Sequence, residues 1–597
     1  MNKQNKNDNA SNRKSYVGHV FNIGEKKEKE TVLNSLNPEW ARLHKEGYIH
    51  IHDLDAYGLT YNCLTFDILG AFPYQNFEGL SDEEIIVGVF DFIKEMLAKI
   101  GNEQSGGMSF ANFDKDFAEI FKNLNVEVIQ HEALFQACIR SLILWCNNIH
   151  TRMGQTSYYV TFCIGLGTTN AARFLAYTLI NCFYSAGDLI YKPNIVFKVH
   201  EGINRFPNDP NFDIFQEALL CTAKKMIPTY LLCDCDADKN TDPEKLSIMG
   251  CRTRVVDDLF GKAGAIGRSN IDNISINLPR LALETNKELV NASIEKRIDI
   301  FKEKWHKVAE TTKDILLDRY EKTCNADIEL FPTIQQYKLT VEDVNKVGLR
   351  GTFKHGTLSV GFIGLSEAME ILTGQKYWSN DETYNMTLGF VKYMRSYMDE
   401  LKEQYHLNFS LLATSGEYIS GRFVEIDKKI YDSPVMKKDY YTNSFHVDVD
   451  SRLPAYKKLQ IEGPFHLYSN GGCISYIELS EAPFGNAEGL NELVEIAVQS
   501  GVHYLGFNFP KDVCKECGAS GTFDVCPACG SREITRIRRV SGYLEIQDYF
   551  TKGKMHESKN RKTNWWFITF LIYILAIKEY SIFAKDHSYL FLIMKLH

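Results

Sequence analysis

The sequence predicts an α/β protein, because short, continuously apolar segments alternate with amphipathic helical patterns. The clearest helix begins at a capping box, Ser81 to Glu84, continues with apolar residues at helical spacing, and ends at Gly101. The apolar segments do not alternate with polar residues, which indicates strands covered on both faces, as in a parallel sheet. These segments are residues 158–166, 195–199, 358–365, 408–412 and 473–479.

The chain has 597 residues, of which 44% are hydrophobic, and this is enough to bury a large core. Its net charge of −9 argues against a nucleic-acid partner, because proteins that bind a nucleic-acid backbone carry basic patches that neutralise phosphates. Periodicity does not decide whether the sheet is open or closed. We see no internal repeat.

The two ends of the chain differ in composition from the rest. Residues 1–40 form a polar arm without the apolar stretch of a secretory signal, so we expect a cytoplasmic, reducing location. Residues 564–597 form an atypical apolar tail without Gly or Pro. Its longest uncharged run, Trp565 to Ile577, has 13 residues, whereas a membrane-spanning helix needs about 20. We therefore expect no membrane partner.

Four cysteines near the C-terminus have the spacing of a zinc ribbon. Cys514 and Cys517 form one CxxC turn, Cys526 and Cys529 form a second, and a glycine follows each turn. Two such turns place four thiolates at the corners of a tetrahedron, which is the ligand set of structural Zn²⁺ and leaves no open position for chemistry. We predict a zinc ribbon over residues 511–532, with a redox dithiol as the alternative.

The segment after the ribbon, Arg538 to Leu544, contains the sequence Ser-Gly-Tyr around Gly542. Alone, this would indicate only a turn glycine. Further segments occur with it in a fixed order along the chain. They are His50 to Asp55, Asn62-Cys63, Gly106-Gly107, Gly154 to Thr156, Met249 to Thr253, Gly267 to Asn270, Ile276 to Arg280, Tyr441 to His446 and Gly471 to Tyr476.

Together these segments resemble the anaerobic (class III) ribonucleotide reductases over roughly residues 44–563. Arg538 to Leu544 resembles the family's glycyl-radical loop, and Met249 to Thr253 resembles the finger loop whose cysteine becomes a thiyl radical. The resemblance implies a ten-stranded α/β barrel of the glycyl radical enzyme type, built from two antiparallel halves of five parallel strands. The barrel with its finger loop would span residues 41–510, and the radical-loop segment would span residues 533–563.

The resemblance also implies catalytic roles. Gly542 would store the radical, and Cys251 would take it over to abstract the 3′-hydrogen of a ribonucleoside triphosphate. Cys63 would lie on the opposite face of the ribose, where it would assist loss of the 2′-hydroxyl and then reduction. Asn270 would orient formate or the ribose hydroxyls through its amide, because formate is the reductant in the family branch with Asn at this position. The products would be deoxyribonucleoside triphosphates for DNA synthesis.

Four more residues are expected at the substrate. His50 and His52 could hydrogen-bond the nucleotide or formate, although loop histidines are as often structural. Met249 and Thr253 flank Cys251 and would shape the pocket. For the two catalytic cysteines the alternative is a buried core thiol, and the motif context favours catalysis.

The expected partners follow from the same resemblance. No iron–sulfur or S-adenosylmethionine motif is visible in the sequence, so an activating radical enzyme with a [4Fe–4S] cluster and S-adenosylmethionine must install the radical. We expect a homodimer with dNTP or ATP effectors at a specificity site. The barrel pattern begins by about residue 40, which leaves too little room for the N-terminal nucleotide-binding cone of many family members. Overall control by dATP is therefore not expected.

Other interpretations of the sequence stay open. Another glycyl radical enzyme would use the same Gly and Cys chemistry, but such enzymes lack the four-cysteine ribbon. A zinc-ribbon nucleic-acid-binding protein would need a basic surface around the ribbon. The apolar tail could also mark an inactive product, or could bind a partner or touch a membrane. We favour a frameshift or read-through origin for the tail, because no amphipathic or capped pattern organises it.

Overall fold

The computed structural model describes residues 15–151, 156–250 and 252–564. In chain order the strands are β1 Ile49–Ile51, β2 Cys63–Phe66, β3 Met108–Phe110, β4 His150–Thr151, β5 Thr156–Ser157, β6 Val160–Ile164, β7 Asn194–Val199, β8 Thr229–Leu232, β9 Ser269–Asn277, β10 Thr357–Ile363, β11 Asn408–Ala413, β12 Ser475–Glu478, β13 Tyr504–Asn508, β14 Lys511–Cys514, β15 Ser520–Gly521, β16 Ile534–Arg539 and β17 Leu544–Ile546.

The α-helices are α1 Tyr16–Ser35, α2 Pro38–Glu46, α3 Ile68–Ala71, α4 Asp82–Ile100, α5 Phe113–Asn123, α6 Glu132–Asn148, α7 Asn170–Ser185, α8 Phe212–Lys225, α9 Leu278–Glu288, α10 Ile294–Cys324, α11 Pro332–Gln336, α12 Val344–Phe353, α13 Leu365–Thr373, α14 Asp381–Tyr405, α15 Tyr418–Asp427, α16 Ala455–His466, α17 Ala487–Gln499 and α18 Lys552–Asn560.

The main sheet consists of two sets of parallel strands. Its order is β11-β10-β9-β2-β3-β6-β7-β8-β13-β12, and β1 pairs with β9 beside this path. Neighbours are parallel except at the β9–β2 and β8–β13 pairs, which are antiparallel. Leu412 in β11 also forms a parallel bridge with Gly472, just before β12. This bridge brings the two ends of the sheet together.

The predicted α/β class is confirmed. Each of the five apolar segments contains a strand of the main sheet, namely β6, β7, β10, β11 and β12, and nearly all of their residues are buried. Continuous burial explains the missing alternation, because helices cover the outer face while the inner face turns toward the core. The predicted helix is α4. The Ser81 hydroxyl accepts the Glu84 N–H at 3.3 Å, and the Glu84 carboxylate accepts the Ser81 N–H at 2.8 Å.

A second, four-stranded sheet follows the order β15-β14-β16-β17. It contains both the predicted zinc ribbon and the start of the predicted radical-loop segment, because β16 pairs with β14 on one side and with β17 on the other. The predicted boundary at residues 532 and 533 therefore falls inside one sheet. Because β14, β16 and β17 pair with one another in series, a metal ion that fixes the ribbon would also help to fix the turn between β16 and β17.

Much of the predicted N-terminal arm is helical. Ser15 accepts the Gly18 N–H at 2.9 Å at the start of α1, and α2 crosses the predicted boundary at residue 40. Residues 1–14 and residues 565–597, which include nearly all of the apolar tail, lie outside the described residues. Among the helices that the structure describes, none combines the length and the apolar composition needed to cross a bilayer.

Candidate active site

One cavity of about 90 Å³ is bordered by well-separated segments of the chain. Of the residues predicted from the sequence, His52, Cys63, Met249 and Thr253 line it. Cys251 lies outside the described residues. The full lining consists of His52, Asp53, Asn62, Cys63, Ser105, Gly106, Gly107, Tyr159, Met249, Gly250, Arg252, Thr253, Asn273, Ser415, Glu417, Ile419 and Tyr543.

Cys63 is the first residue of β2, and hydrogen bonds fix its thiol. The thiol donates to Asn62 Oδ1 at 2.8 Å and accepts the Gly107 N–H at 3.1 Å. The Asn62 amide nitrogen in turn donates to Asp53 Oδ2 at 3.0 Å, and the Ser105 hydroxyl donates to the same carboxylate oxygen at 2.8 Å. Asp53 therefore fixes the orientation of the Asn62 amide, so that its oxygen faces the thiol.

We call residues 249–253 the finger segment; its described residues, Met249, Gly250, Arg252 and Thr253, all line the cavity. Met249 and Thr253 exchange two main-chain hydrogen bonds of 3.0 and 3.3 Å. The turn passes close to Gly107, where a Cβ atom would lie 2.5 Å from the Cα atom of Gly250. A Cβ on Gly472 would likewise collide with the carbonyl oxygen of Arg252. Glycines on both sides are therefore required for the finger segment to fit.

Gly542 lies in the turn of the β16–β17 hairpin. Arg539 pairs with Leu544, and the Val540 N–H donates to the Tyr543 carbonyl at 3.0 Å. Gly542 itself is buried. The next residue, Tyr543, lines the cavity, so the hairpin turn reaches the same space as Cys63 and the finger segment.

Two arginines at the end of β16 hold this turn in place. The Arg539 side chain is buried, and its Nε donates to the Phe507 carbonyl at 2.9 Å. Burial lowers the pKa of Arg539 to about 10. The Arg538 guanidinium pairs with Asp512 of the ribbon at 2.7 Å. One arginine thus ties the turn to the main sheet, and the other ties it to the ribbon.

The four predicted zinc ligands come together. The sulfur atoms of Cys514, Cys517, Cys526 and Cys529 all lie within 4.8 Å of one another. Tetrahedral zinc with Zn–S bonds of about 2.3 Å would place the sulfurs about 3.8 Å apart, so the donor set fits the ion. In each turn the N–H of the following glycine donates to the first cysteine's carbonyl, at 3.0 and 2.9 Å. The cluster is consistent with a structural metal site.

The two predicted histidines take different positions. His52 lines the cavity, and its Nε2 lies 2.9 Å from Ser275 Oγ. His50 is buried behind it, with the two ring centroids 4.6 Å apart. Neither ring is far from the candidate site, but only His52 borders the cavity.

Asn270 does not belong to the cavity lining. Its amide nitrogen donates to Thr357 Oγ1 at 2.8 Å and to Ser359 Oγ at 3.1 Å. Asn273, three residues later in β9, lines the cavity instead. A register shift opposite Thr357 changes which residues of β9 face inward. A strict alternation from Asn270 does not predict Asn273, and a bulge leaves no sequence signal here.

Several cavity residues were not among the predicted site residues. Asn62 directly precedes Cys63 in one of the segments that resemble the family, and this position could have identified it as a site residue. Tyr159 and Glu417 carry no motif of their own. Glu417 follows β11, at the start of α15, and only the course of the chain brings it to Tyr543, more than one hundred residues away in sequence.

A protein-family model and the sequences of known relatives both match this chain, and they carry the same description. Residues 8–563 match the family model described as anaerobic ribonucleoside-triphosphate reductase. A relative of that name from Escherichia coli is 30% identical over 572 residues, which cover 87% of this chain and 78% of the relative.

Solved structures are similar in fold. The anaerobic ribonucleotide reductase from Thermotoga maritima in complex with dATP and CTP has a TM-score of 0.65 at 16% identity, covering 91% of this chain and 90% of that chain. Hydroxyproline dehydratase from Clostridioides difficile has a TM-score of 0.62 at 10% identity, covering 90% and 83%. At these identities the similarity concerns the fold alone.

Proposed function

This chain belongs to the anaerobic ribonucleoside-triphosphate reductase family, and from that premise we propose that it reduces ribonucleoside triphosphates to deoxyribonucleoside triphosphates by radical chemistry with formate as the reductant. One observation carries the proposal. Cys63, the finger segment and the hairpin turn of Gly542 all border one cavity. The main sheet, with its two parallel sets and joined ends, supports the barrel that the resemblance implies.

Gly542 is proposed to store the radical. A glycine Cα radical is stabilised by the adjacent amide nitrogen and carbonyl, and it has no side chain to hinder hydrogen transfer. Gly542 is buried in a turn with a closing hydrogen bond, which would protect the radical from solvent. Cys251 is proposed to receive the radical, and its neighbours Gly250 and Arg252 both line the cavity.

Loss of the 2′-hydroxyl requires a proton, because hydroxide is a poor leaving group. We propose the Cys63 thiol, which lines the cavity, as the proton donor, and its hydrogen bond to Asn62 Oδ1 sets the direction of the S–H bond. The Asp53 carboxylate fixes Asn62 and Ser105 together. These groups form a polar wall that would contact the ribose hydroxyls and hold Cys63 in place during the reaction.

Formate or the ribose hydroxyls would be oriented by an asparagine. The Asn270 amide nitrogen is already engaged by Thr357 and Ser359, so its role would be to organise the inner wall. Asn273 and His52 both line the cavity. We therefore assign the contact with small oxygen ligands to Asn273 together with His52. Met249 and Thr253 would shape the pocket from the finger segment.

Zinc would hold the ribbon and, through β16, the radical turn. Cys514 ends a strand of the same sheet whose β16–β17 hairpin carries Gly542 in its turn, so the ion would order the turn and would take no part in the chemistry. Removing the ion by chelation should lower the radical yield while the main sheet stays folded. A chelated protein with full radical yield would contradict this role.

The proposed partners are an activating radical enzyme with a [4Fe–4S] cluster and S-adenosylmethionine, a second copy of the chain, and nucleotides. A related structure from Thermotoga maritima has dATP bound in the specificity site, and we extend a dNTP or ATP effector site to this chain. The cytoplasm, where thiols stay reduced, suits such an enzyme.

The test is an anaerobic assay of the complete chain with its activating enzyme. We expect deoxyribonucleotide formation that depends on formate, with labelled formate giving labelled carbon dioxide. Activity with a thioredoxin-type donor and no labelled carbon dioxide would exclude formate. A second candidate, a dehydratase-type glycyl radical enzyme, is favoured only by the fold similarity to hydroxyproline dehydratase. That candidate would give a radical but no ribonucleotide reduction.

A further inference from the structure

A buried ion pair joins the stretch of chain that leads into the finger segment to the stretch that leads out of it. Asp238 lies between β8 and the finger segment, and Arg254 directly follows Thr253. The Arg254 Nε donates to Asp238 Oδ1 at 3.0 Å, and its Nη2 donates to the same oxygen and to the Ala237 carbonyl, the latter at 2.9 Å. The pair therefore closes the loop of residues 238–254, and the finger segment belongs to this loop.

Both members of the pair are shielded from water. The Asp238 side chain is fully buried, and the Arg254 side chain is nearly so. Burial alone would raise the pKa of Asp238, but the Arg254 guanidinium and His503 lower it below its usual range, so the carboxylate is charged at neutral pH. Removing one partner would leave the other as an uncompensated buried charge. The pair is thus a permanent attachment, unlike a surface ion pair that forms and breaks.

Asp238 is itself attached to the main sheet. Its Oδ2 lies 3.0 Å from Nδ1 of His503, which directly precedes β13. Burial lowers the pKa of His503, so the ring is neutral, and it donates from Nδ1 because an ionised carboxylate only accepts. The His503 carbonyl accepts the Leu232 N–H of β8 at 2.8 Å. Through His503 the ion pair connects the finger segment to the junction of β8 and β13.

Main-chain bonds hold the finger segment at two further points. The Arg254 N–H donates to the Gly471 carbonyl at 3.1 Å, just before β12. On the other arm, the Gly250 carbonyl accepts the Thr161 hydroxyl of β6 at 3.3 Å. Cys251 lies between Gly250 and Arg254 in sequence, so its position depends on both attachments.

A direct catalytic role does not account for the pair, because neither Asp238 nor Arg254 lines the catalytic cavity. A purely stabilising role is a poor account as well, since well-packed apolar residues in place of a buried ion pair often stabilise a protein equally or better. An arginine fork paired with a carboxylate does supply directional geometry, because its N–H groups point in fixed directions. Here that geometry acts one residue beyond the finger segment.

We propose that Asp238 is a positioning residue that acts through Arg254 to fix the base of the finger segment, and so sets how closely Cys251 approaches the 3′-hydrogen of the substrate. This inference rests on the proposed function. In that reaction the C3′–H bond breaks as the Cys251 S–H bond forms, so the sulfur must lie in contact with this hydrogen. Misplacement by about 1 Å costs about a hundredfold in rate. Installing the radical on Gly542 does not involve this contact and should not depend on Asp238.

The test compares Asp238→Asn with the unmodified complete chain, both activated anaerobically by the activating enzyme. Asparagine keeps the shape of the side chain and removes its charge. Turnover is counted per glycyl radical, measured by electron paramagnetic resonance, so that a smaller folded or activated fraction is not mistaken for a slower reaction. We expect turnover per radical to fall about tenfold or more, with an unchanged KM for the nucleotide. The isotope effect on kcat with 3′-deuterated nucleotide should be no smaller than in the unmodified chain.

Asp427→Asn is the matched control. Asp427 is also fully buried and pairs with Arg280 at 2.8 Å, but it does not line the cavity and does not contact the finger segment. Its loss should affect at most the amount of folded protein, so turnover per radical should equal that of the unmodified chain. A similar fall in both variants would show that any buried ion pair matters equally, and would overturn the assignment to Asp238.

Arg254→Lys tests the geometry of the pair with its charge retained. Lysine lacks the planar fork, so turnover per radical should again fall while zinc content stays unchanged. This variant decides by the same criteria if Asp238→Asn gives too little radical to assay. Normal turnover per radical in either variant, a loss confined to KM, or a smaller isotope effect would overturn the proposal. Failure of the proposed function is seen separately, because the unmodified chain would then form no deoxyribonucleotide.

Discussion

The Tyr543 hydroxyl donates a hydrogen bond of 2.8 Å to Glu417 Oε1. This bond joins the residue after Gly542 to the segment between β11 and α15, and both side chains are buried. Burial and the neighbouring Glu417 carboxylate raise the pKa of Tyr543, so the phenol stays protonated and keeps donating. The Tyr543 ring also packs edge-on against Tyr159, with centroids 5.1 Å apart. Two contacts thus hold the hairpin turn against the cavity.

Tyr543→Phe should weaken this attachment without disturbing the ribbon. A hydrogen bond to a charged group is worth about 1.5–3 kcal/mol, so the turn should open more often and the stored radical should decay faster. The measurement is the radical concentration over time by electron paramagnetic resonance. Tyr456→Phe, in α16, is the control. Equal lifetimes in Tyr543→Phe and the unmodified chain would show that the hydroxyl does not hold the turn.

Gly107→Ala should separate radical storage from turnover. The new Cβ would lie 2.5 Å from Gly250 Cα and 2.7 Å from its nitrogen, so the finger segment must shift. Misplacement by about 1 Å can cost about a hundredfold in rate, and we expect a loss of that order with zinc content and radical yield preserved. Gly389→Ala, with open space around its Cβ position, should behave as the unmodified chain. A fully active Gly107→Ala would contradict the described fit.

Buried histidines should make the fold sensitive to mild acid. Burial lowers the pKa of His446, His466 and His503 below the usual imidazole range. Each ring stays neutral in the native state and takes up a proton on unfolding below pH about 6.5. Each therefore contributes stability that is present above that pH and is lost as pH falls, by up to about 1.4 kcal/mol per pH unit.

His466→Gln should reduce this dependence by removing one of the three groups. Denaturant unfolding at pH 7.5 and pH 5.5 would measure the difference. Acids such as Asp272, whose pKa burial raises to about 7, have the opposite sign but are common to both proteins and cancel in the comparison. The same loss of stability between the two pH values in the variant and the unmodified chain would rule out His466 as a contributor.

The apolar tail should be dispensable from Trp565 onward. Asn564 is buried and docked: its N–H donates to the Glu478 carbonyl at 2.7 Å, and its amide nitrogen donates to the Leu453 carbonyl at 2.9 Å. A chain that ends at Asn564 should keep its solubility and zinc and should be activated at least as well. A chain that ends at Thr563 loses these bonds and should be less stable by about 1–3 kcal/mol. Loss of radical formation in the longer truncation would show that the tail is a working part.

Local sequence signals predicted the secondary structure where burial is uniform. The apolar segments of β6, β7 and β10 and the capping box of α4 are examples. In each of them the local residue types favour the same structure that the whole fold requires. The spacing of the four cysteines likewise predicted their convergence, since a CxxC turn fixes two ligands locally and only two such turns have to meet.

The sequence did not predict which distant residues meet at the cavity. Asn273 reaches the cavity because β9 shifts register opposite Thr357, and Glu417 reaches Tyr543 only through the folded sheet. The shared sheet of ribbon and radical turn depends on β16 pairing on both edges. Each case depends on which strands become neighbours, and residue types along one strand do not encode that.

The most direct test of the whole account is radical formation at Gly542, followed by oxygen cleavage. After anaerobic activation the unmodified chain should give a doublet in electron paramagnetic resonance, and air should then cut it near Gly542. Gly542→Ala should lose both the signal and the cut, and Cys251→Ala should keep both yet reduce no nucleotide. Cleavage at a different glycine, or full turnover by either variant, would contradict the assignment of the radical to Gly542 and its transfer to Cys251.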